Sequence, residues 1–331
     1  MADNHDPLLS ADQIQEPDDV VRLLAEQREP GIRDDIKAAF AALTALAAGA
    51  GLTQLYGSQN RYGILIAINT DQYAVNLQPA LDRIDETLRL MAQAQAEALG
   101  YSYDPSAAGE AQRAAAFRGQ VLDQFRDSLI RTANGIIDRA IADRMTAEQF
   151  ARAMEDAIAL APAQAQAVIN YRALLEDGDR AALTRQMRDT RFDRAIRQAM
   201  TGSPLDQDQI DRMVGAYAER YRTARAATIA GDTAMNAANR GARAAYQQAV
   251  QQGLINGSSA RRFWLTAGDE RVCPFCRTVP LLNEHGVGLD EPYRTINGGT
   301  IDGPQAHAHC RCTERFEAEP LIGSNYRRAA E

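Results

Sequence analysis

Along most of this chain the apolar positions recur at three and four residues, the period of a helix with one buried side, and only briefly at two. Residues 1–30 depart from this: acidic side chains and Pro7, Pro17 and Pro30 punctuate them, with one short helical pattern through Val20, Val21, Leu23 and Leu24. They read as a loosely held arm. A helix over 32–52 follows, ended by Gly49 and Gly51. The apolar run at 62–68 is too brief for periodicity to type and stays open between a strand and a buried helical turn. Over 77–99, Leu81, Ile84, Leu88 and Met91 mark an amphipathic helix. The Gly, Asp-Pro and Ser of 100–106 then oppose helix on both sides, which makes this the best internal boundary.

Helix resumes over 107–142, with Val121, Phe125, Leu129 and Ile136 or Ile137 on one side. Thr146-Ala-Glu-Gln149 has the form of a capping box and predicts a new helix start. Short helices are expected around 163–176 and 180–200, set apart by Pro162 and Asp177-Gly178-Asp179. Ser203-Pro204 reads as a cap followed by a first-turn proline. The helix it opens runs over 205–251 and is the longest expected. Ile210, Met213, Tyr217 and Tyr246 share its buried arc, and Gly231 lies in the same arc, where it would let a partner helix come close. Arg222, Arg225, Arg240 and Arg243 fall along one edge, with Asp232 and Asn236 between them. That edge reads either as a solvated row laced with intrahelical pairs or as a contact for acidic protein or DNA phosphate.

A length of 331 residues exceeds what one core usually holds. The sequence divides in series: an N-terminal helical region and arm over 1–104, a helical body over 105–252, a Cys/His module over 253–316 and a tail over 317–331. Alanine dominates the apolar set and aromatics make up 6%, which favours helices packed through small side chains. The expected fold is therefore mainly α, a multi-helix body with one long helix, plus a small α+β module at the C-terminal end. A formal charge of −8 argues against a surface that coats nucleic acid, although a local basic stripe stays open. Lys37 is the only lysine. The acidic opening Met1-Ala-Asp-Asn-His-Asp-Pro is unlike a secretory signal, so folding in the cytosol is expected. The uncharged run at 38–52 falls short of the ~20 residues of a membrane span, so no membrane association is expected.

The strongest chemical signal is a cluster. Every cysteine and three of the four histidines lie between residues 264 and 312. Cys273-Pro-Phe-Cys276 is answered thirty residues later by His307-Ala-His-Cys310-Arg-Cys312. A Cys-x2-Cys turn converges two thiolates on one metal, and a distant second pair completes a tetrahedron. Thiolate and imidazole point to zinc over magnesium or calcium. Cys310, Cys312, His307 and His309 compete for the two remaining positions. That surplus favours a closed, structural site over a catalytic one with room for water. Two disulfides are the competing reading, disfavoured in a reducing cytosol. Thioredoxin-like chemistry at Cys273 and Cys276 would require a βαβ context and a helix starting at the first cysteine, neither of which is visible in the pattern. Residues 262–266 read as a strand feeding the knuckle, with Trp264 as core, and the glycines between the half-sites make a loop-rich crossing that a metal would hold still.

Trp264-Leu-Thr-Ala-Gly-Asp269-Glu-Arg-Val272-Cys273-Pro-Phe-Cys276, a glycine-rich spacer and Ala306-His307-Ala-His-Cys310-Arg311-Cys312 together resemble the C-terminal signature of phage minor head proteins, the Mu-type head morphogenesis family. The preceding helix, with Arg225, Asn236 and Gly241, looks like the family's long helix, and the resemblance covers roughly residues 140–316. The family commonly carries Arg-Thr-Glu in that helix where this chain has Gly231-Asp232-Thr233, so no role of that pair transfers. His307 matches the family's histidine, and His309 stands where a small polar residue is usual, which favours His307 as ligand.

The resemblance implies a non-enzymatic minor capsid protein in the virion, inside the head near the portal vertex, present in host cytoplasm during assembly. Its implied partners are portal protein and capsid, with packaged DNA as a further contact in packaging or ejection, and no small-molecule substrate. Two alternatives remain open on the residues. One is a zinc-dependent nuclease using His285, His307 or His309; the other is a DNA-binding module using Arg222, Arg225, Arg240 and Arg243.

Overall fold

A computed structural model describes residues 19–68 and 70–321. The opening part of the expected arm and residues 322–331 of the expected tail lie outside the described residues. The fold is mainly helical, with one 45-residue helix and a small C-terminal region of sheet. Eleven α-helices are described: α1 (Asp19–Gly49), α2 (Leu52–Gly57), α3 (Arg61–Ala67), α4 (Thr70–Asn76), α5 (Gln78–Ala98), α6 (Glu110–Ala142), α7 (Ala147–Ala157), α8 (Pro162–Glu176), α9 (Asp193–Ala199), α10 (Gln207–Gln251) and α11 (Pro274–Leu282). Among the described residues no helix is long and apolar enough to cross a membrane.

Several local expectations change. Residues 19–30 are not an arm: α1 runs straight through Pro30, because Val21, Leu24, Ala25, Ile32, Ile36 and Phe40 form one continuous buried stripe. Burial of that stripe outweighs the ~3 kcal/mol an interior proline costs a helix. The undecided run at 62–68 is helical, with Asn60 accepting from the Gly63 N–H at 2.7 Å. Thr146 and Gln149 do form the capping box. The start of α10 is set by Asp206 rather than Ser203: Asp206 Oδ1 accepts from Gln209 N at 2.7 Å and Gln209 Oε1 from Asp206 N at 3.0 Å, the same reciprocal device. The segment 180–200 holds two 3₁₀ turns, Arg180–Thr184 and Thr190–Phe192, and only one short helix, α9.

The chain forms two compact units that are not serial. Among the described residues one takes 19–33, 79–118 and 228–321, and the other takes 34–78 and 119–227. The Cys/His module thus shares a unit with α5 and with the second half of α10, which differs from the division in series at 104 and 252.

In the first unit α5 and α10 approach through small residues. A Cβ added at Gly241 would lie 2.2 Å from the Leu88 carbonyl oxygen and 3.0 Å from Met91 Cβ, so only glycine fits there. Gly231, the glycine expected to serve this purpose, has open space around it. Ala92 and Ala96 of α5 pack with Ala244 and Ala245 of α10 and with Tyr103. The buried Gln248 amide pairs with both backbone groups of Asp104 at 2.8 Å and pins the break after α5. Beyond α10, β1 (Arg261–Leu265) pairs antiparallel with β4 (Thr313–Glu317), in the register Arg262↔Phe316 and Trp264↔Glu314. A second short ribbon pairs β2 (Tyr293–Arg294) with β3 (Thr300–Ile301). The inward side chains of β1 are Arg262 and Trp264, and Tyr246 of α10 stacks on Phe316 of β4 with ring centroids 4.7 Å apart.

The second unit is all helix and turn. Tyr56 of α2 stacks on Phe150 of α7 at 4.3 Å, Phe125 of α6 meets Phe40 and Tyr73 edge-on, and Tyr171 of α8 stacks on Tyr217 of α10 at 4.2 Å. These aromatics supply the large contacts that the alanine-rich sequence otherwise lacks.

Candidate metal centre

The first half of the site is built where β1 hands over to α11. After β1 the chain turns at Asp269, whose carbonyl and carboxylate accept the N–H groups of Val272 and Arg271 at 3.2 and 3.1 Å. Cys273 is then the cap of α11: Pro274 occupies the first turn, where a missing N–H costs nothing, and Cys273 Sγ accepts from Cys276 N at 3.3 Å. Cys276 follows in that first turn, buried. A helix therefore does start at the first cysteine, contrary to the sequence expectation. The βαβ context of a thioredoxin-like site is not there, since both described ribbons are two-stranded and antiparallel.

The second half is a knuckle before β4. Gln305 and His309 adopt positive φ values of 79° and 60°, a conformation uncommon outside glycine, and this turns His307 and Cys310 toward α11. The Asp232 carboxylate of α10 accepts the His309 N–H at 2.8 Å and holds the turn. Burial raises the Asp232 pKa, and that N–H draws it partly back. Asn239, also on α10, donates to the Cys312 carbonyl at 3.3 Å and accepts from Glu314 N at 3.1 Å. Arg311 ties the two halves together, its Nη2 donating to both Asp269 oxygens at 2.7 and 2.8 Å.

The donor atoms meet. His307 Nε2 lies 3.0 Å from Cys273 Sγ and 3.3 Å from Cys276 Sγ, and Cys276 Sγ lies 3.9 Å from Cys310 Sγ. A tetrahedral ion with bonds of about 2.3 Å to sulfur and about 2.0 Å to nitrogen would set neighbouring sulfurs about 3.8 Å apart and sulfur–nitrogen pairs about 3.5 Å apart. The observed separations fit that frame within about half an ångström, and 3.9 Å is far from the ~2.05 Å of a disulfide. All four cysteines are free. Two overlapping groups emerge, Cys273, Cys276 and His307 on one side and Cys276, Cys310 and Cys312 on the other, with Cys276 common to both. His307 Nδ1 donates to the Ala308 carbonyl at 2.8 Å, which fixes the tautomer and leaves the Nε2 lone pair for a metal.

The thiols are tuned in opposite directions. The Cys310 pKa is lowered to about 5, first by the hydrogen bond from Cys312 and then, against burial, by the N–H groups of Cys312, Gln305 and Ala306. Burial, and after it the Cys310 charge, pushes Cys276 up to about 12. Cys312 is raised as well, by its bond to Cys310 and by burial. The surroundings thus favour the thiolate at Cys310 and Cys273 and the neutral thiol at Cys276 and Cys312. A divalent ion removes that conflict and lets the sulfurs deprotonate together. Trp264 closes the floor, its indole acting on Cys312 and its ring edge-on to Tyr293 at 5.4 Å.

The other sequence candidates lie elsewhere. His309 offers its ring to Thr228 Oγ1 at 3.3 Å and joins neither donor group. His285 is 92% exposed beside Glu284. The four α10 arginines singled out by the pattern, Arg222, Arg225, Arg240 and Arg243, do not form an outward stripe. Arg222, 11% exposed, donates to the Asp156 carbonyl at 2.8 Å, and Arg225 donates to Ser128 at 2.8 Å and covers the Phe40 ring. Arg240 lies over the Phe117 ring and donates to Asn236, and Arg243, 13% exposed, pairs with Asp302 at 2.9 Å. Each of these guanidiniums faces protein groups.

Sequence reasoning missed Arg262. Fully buried on β1, it donates to Glu314 at 2.5 Å and to the carbonyls of Gly288, Asp302 and Glu291, with Tyr293 beneath it at 4.9 Å. It binds the glycine-rich crossing to the β1–β4 ribbon. The signal available in the sequence is an arginine at the inward step of a strand whose next inward residue is Trp264. Comparison with family models, with curated proteins and with solved structures returns no match.

Proposed function

We propose that the chain is a minor head protein of a phage, placed inside the capsid near the portal vertex and supporting head assembly, with zinc as a structural staple of its C-terminal module. The observation that carries this reading is that the chemistry-bearing residues of the family-like motif share one constellation. Cys273, Cys276, His307, Cys310 and Cys312 converge, and Asp269 and Arg311, which donate nothing to a metal, join the two halves of the motif. Thiolates with one imidazole suit zinc, and five donors for four positions leave no seat for water, so the ion is a staple rather than a Lewis acid. A long helix with small-residue faces suits docking on another helical protein, of which a portal is one. Contact with packaged DNA during packaging or ejection belongs to the same reading.

Two measurements test it. Purified chain carries about one equivalent of zinc. Co-expression with the portal protein of the same genome, followed by affinity capture, recovers the portal. Capture of the chain alone, together with metal-dependent cleavage of plasmid DNA, would replace this reading with the nuclease one.

A further inference from the structure

Arg185, Arg188, Arg191, Arg194 and Arg197 recur at every third residue, and the row belongs neither to the metal centre nor to the inward arginines of α10. It passes through the second 3₁₀ turn into α9. Two aspartates interrupt it, and both are buried, Asp189 at 3% and Asp193 at 9% exposure. They hold the row from beneath. Asp193 receives Arg188 through two nitrogens at 2.9 and 3.1 Å and lies 3.7 Å from Arg197. Asp189 receives Arg191 at 2.6 to 3.1 Å and lies 3.6 Å from Arg220. Carboxylates are therefore inside and cations outside: Arg191 is 82% and Arg197 64% exposed, and Arg194 is exposed with no ion-pair partner among the described residues. The next step of three is Met200, an exposed apolar side chain.

We propose that this face docks an acidic segment of another protein, with carboxylates on Arg191, Arg194 and Arg197 and an apolar side chain over Met200. The inference stands apart from the metal reading. Arginine and methionine together, with no exposed acid or lysine between residues 185 and 200, make the composition of a protein-interface centre. Arg191, already held by the buried Asp189 carboxylate, loses little freedom when it binds a second carboxylate. Five arginines against two aspartates leave +3 over this stretch, in a chain whose total is −8. A short run of carboxylates matches so local a potential, whereas a long polyphosphate would meet repulsion from the remaining acidic surface.

The test uses the full chain and a labelled amphipathic peptide of roughly 20 residues, with glutamates at helical spacing flanked by leucines, followed by anisotropy at about 50 mM salt. A DNA duplex is the competitor. The expected result is saturable binding that R194E/R197E weakens by at least about tenfold and Met200→Ser by about threefold. Thermal melting of the variants stays at the wild-type value, since Arg194 has no ion-pair partner among the described residues and Arg197 has only a 3.7 Å one. The proposal is overturned by absence of peptide binding, by equal binding to the variants, or by a duplex that displaces the peptide and is indifferent to Met200→Ser.

Discussion

Arg262→Met gives the sharpest test of how the C-terminal module is held. The substitution keeps most of the buried volume and removes four hydrogen bonds, one to the Glu314 carboxylate and three to carbonyls. Asp302 O retains Arg243, and Glu314 retains Arg243 only at 3.7 Å, so its charge is left poorly compensated. The Gly288 carbonyl keeps the Glu291 N–H at 3.1 Å, so only the Glu291 carbonyl is left without its side-chain donor. A carbonyl left without a donor costs about 1–3 kcal/mol, and breaking a buried ion pair from one side costs about 3–5 kcal/mol. These terms overlap, and the net expectation is about 4 kcal/mol, roughly a thousandfold in the module's folding equilibrium. Adding Glu314→Met removes the stranded carboxylate but not the loss at the Glu291 carbonyl, so the double variant should recover at least about half of the loss. Trp264 is the only tryptophan, buried in this module, so its fluorescence during urea titration reads the module rather than the helices. Zinc is held in excess so that metal loss does not enter. A single variant within about 1 kcal/mol of wild type, or a double variant no better than the single, would refute the account.

Gly241→Ala should destabilise the chain by about 1–3 kcal/mol, because its Cβ would meet the Leu88 carbonyl at 2.2 Å, while Gly231→Ala should be neutral or stabilise by up to about 1 kcal/mol; circular-dichroism melting compares the two. Cys276→Ser should abolish metal binding, since Cys276 belongs to both donor groups, and metal analysis after dialysis decides it. Arg191 holds the Asp189 pKa down, to about 2. The stability this contributes is complete above an unfolded aspartate pKa of about 4 and disappears as pH falls through the folded value. Wild type and Asp189→Asn should therefore differ in melting temperature at neutral pH and converge toward about pH 2, and a constant gap would contradict the linkage. Chelation should raise amide exchange in residues 228–251 as well as in the module; a module that unfolds with that half of α10 unchanged would favour the serial division instead.

Much of this was legible in the sequence. The period of three and four located α5, α6 and α10 to within a few residues, and the cysteine spacing located the Cys/His cluster, because both signals are local. What was hidden depends on partners distant in sequence. Pro30 looked like a boundary because its cost is local, whereas the stripe from Val21 to Phe40 that overrides it is buried by tertiary packing. The pattern placed Gly231 in the apolar arc, but it is Gly241 that Leu88 and Met91 pass, which no local signal marks. The arginines of α10 looked like a stripe because helical geometry aligns them, but nothing in that geometry places Asp156, Ser128 or Asp302 opposite. Asp206 was readable, since Asp-x-x-Gln is a capping box like Thr-x-x-Gln, and the Ser-Pro pair two residues earlier drew the boundary instead.

The polar residues on the second half of α10 acquire one explanation together. Thr228, Asp232, Asn239, Arg243 and Gln247 follow one another at steps of four and seven, which keeps them on one side of a helix. Their partners are, in order, the His309 ring, the His309 N–H, the backbone around Cys312 and Glu314, Asp302, and Asp290. Every partner belongs to the Cys/His module. The side of the helix that reads as solvated is thus a rail on which the knuckle is seated, and it explains why a loop-rich crossing keeps its donors in register. Asp232 stands at the position where the chain departs from the resembled family's Arg-Thr-Glu, and here its carboxylate caps the left-handed turn at His309. The departure in sequence therefore falls on a residue that positions the metal-binding half of the site, so the knuckle and the helix are one device rather than a module appended to a body.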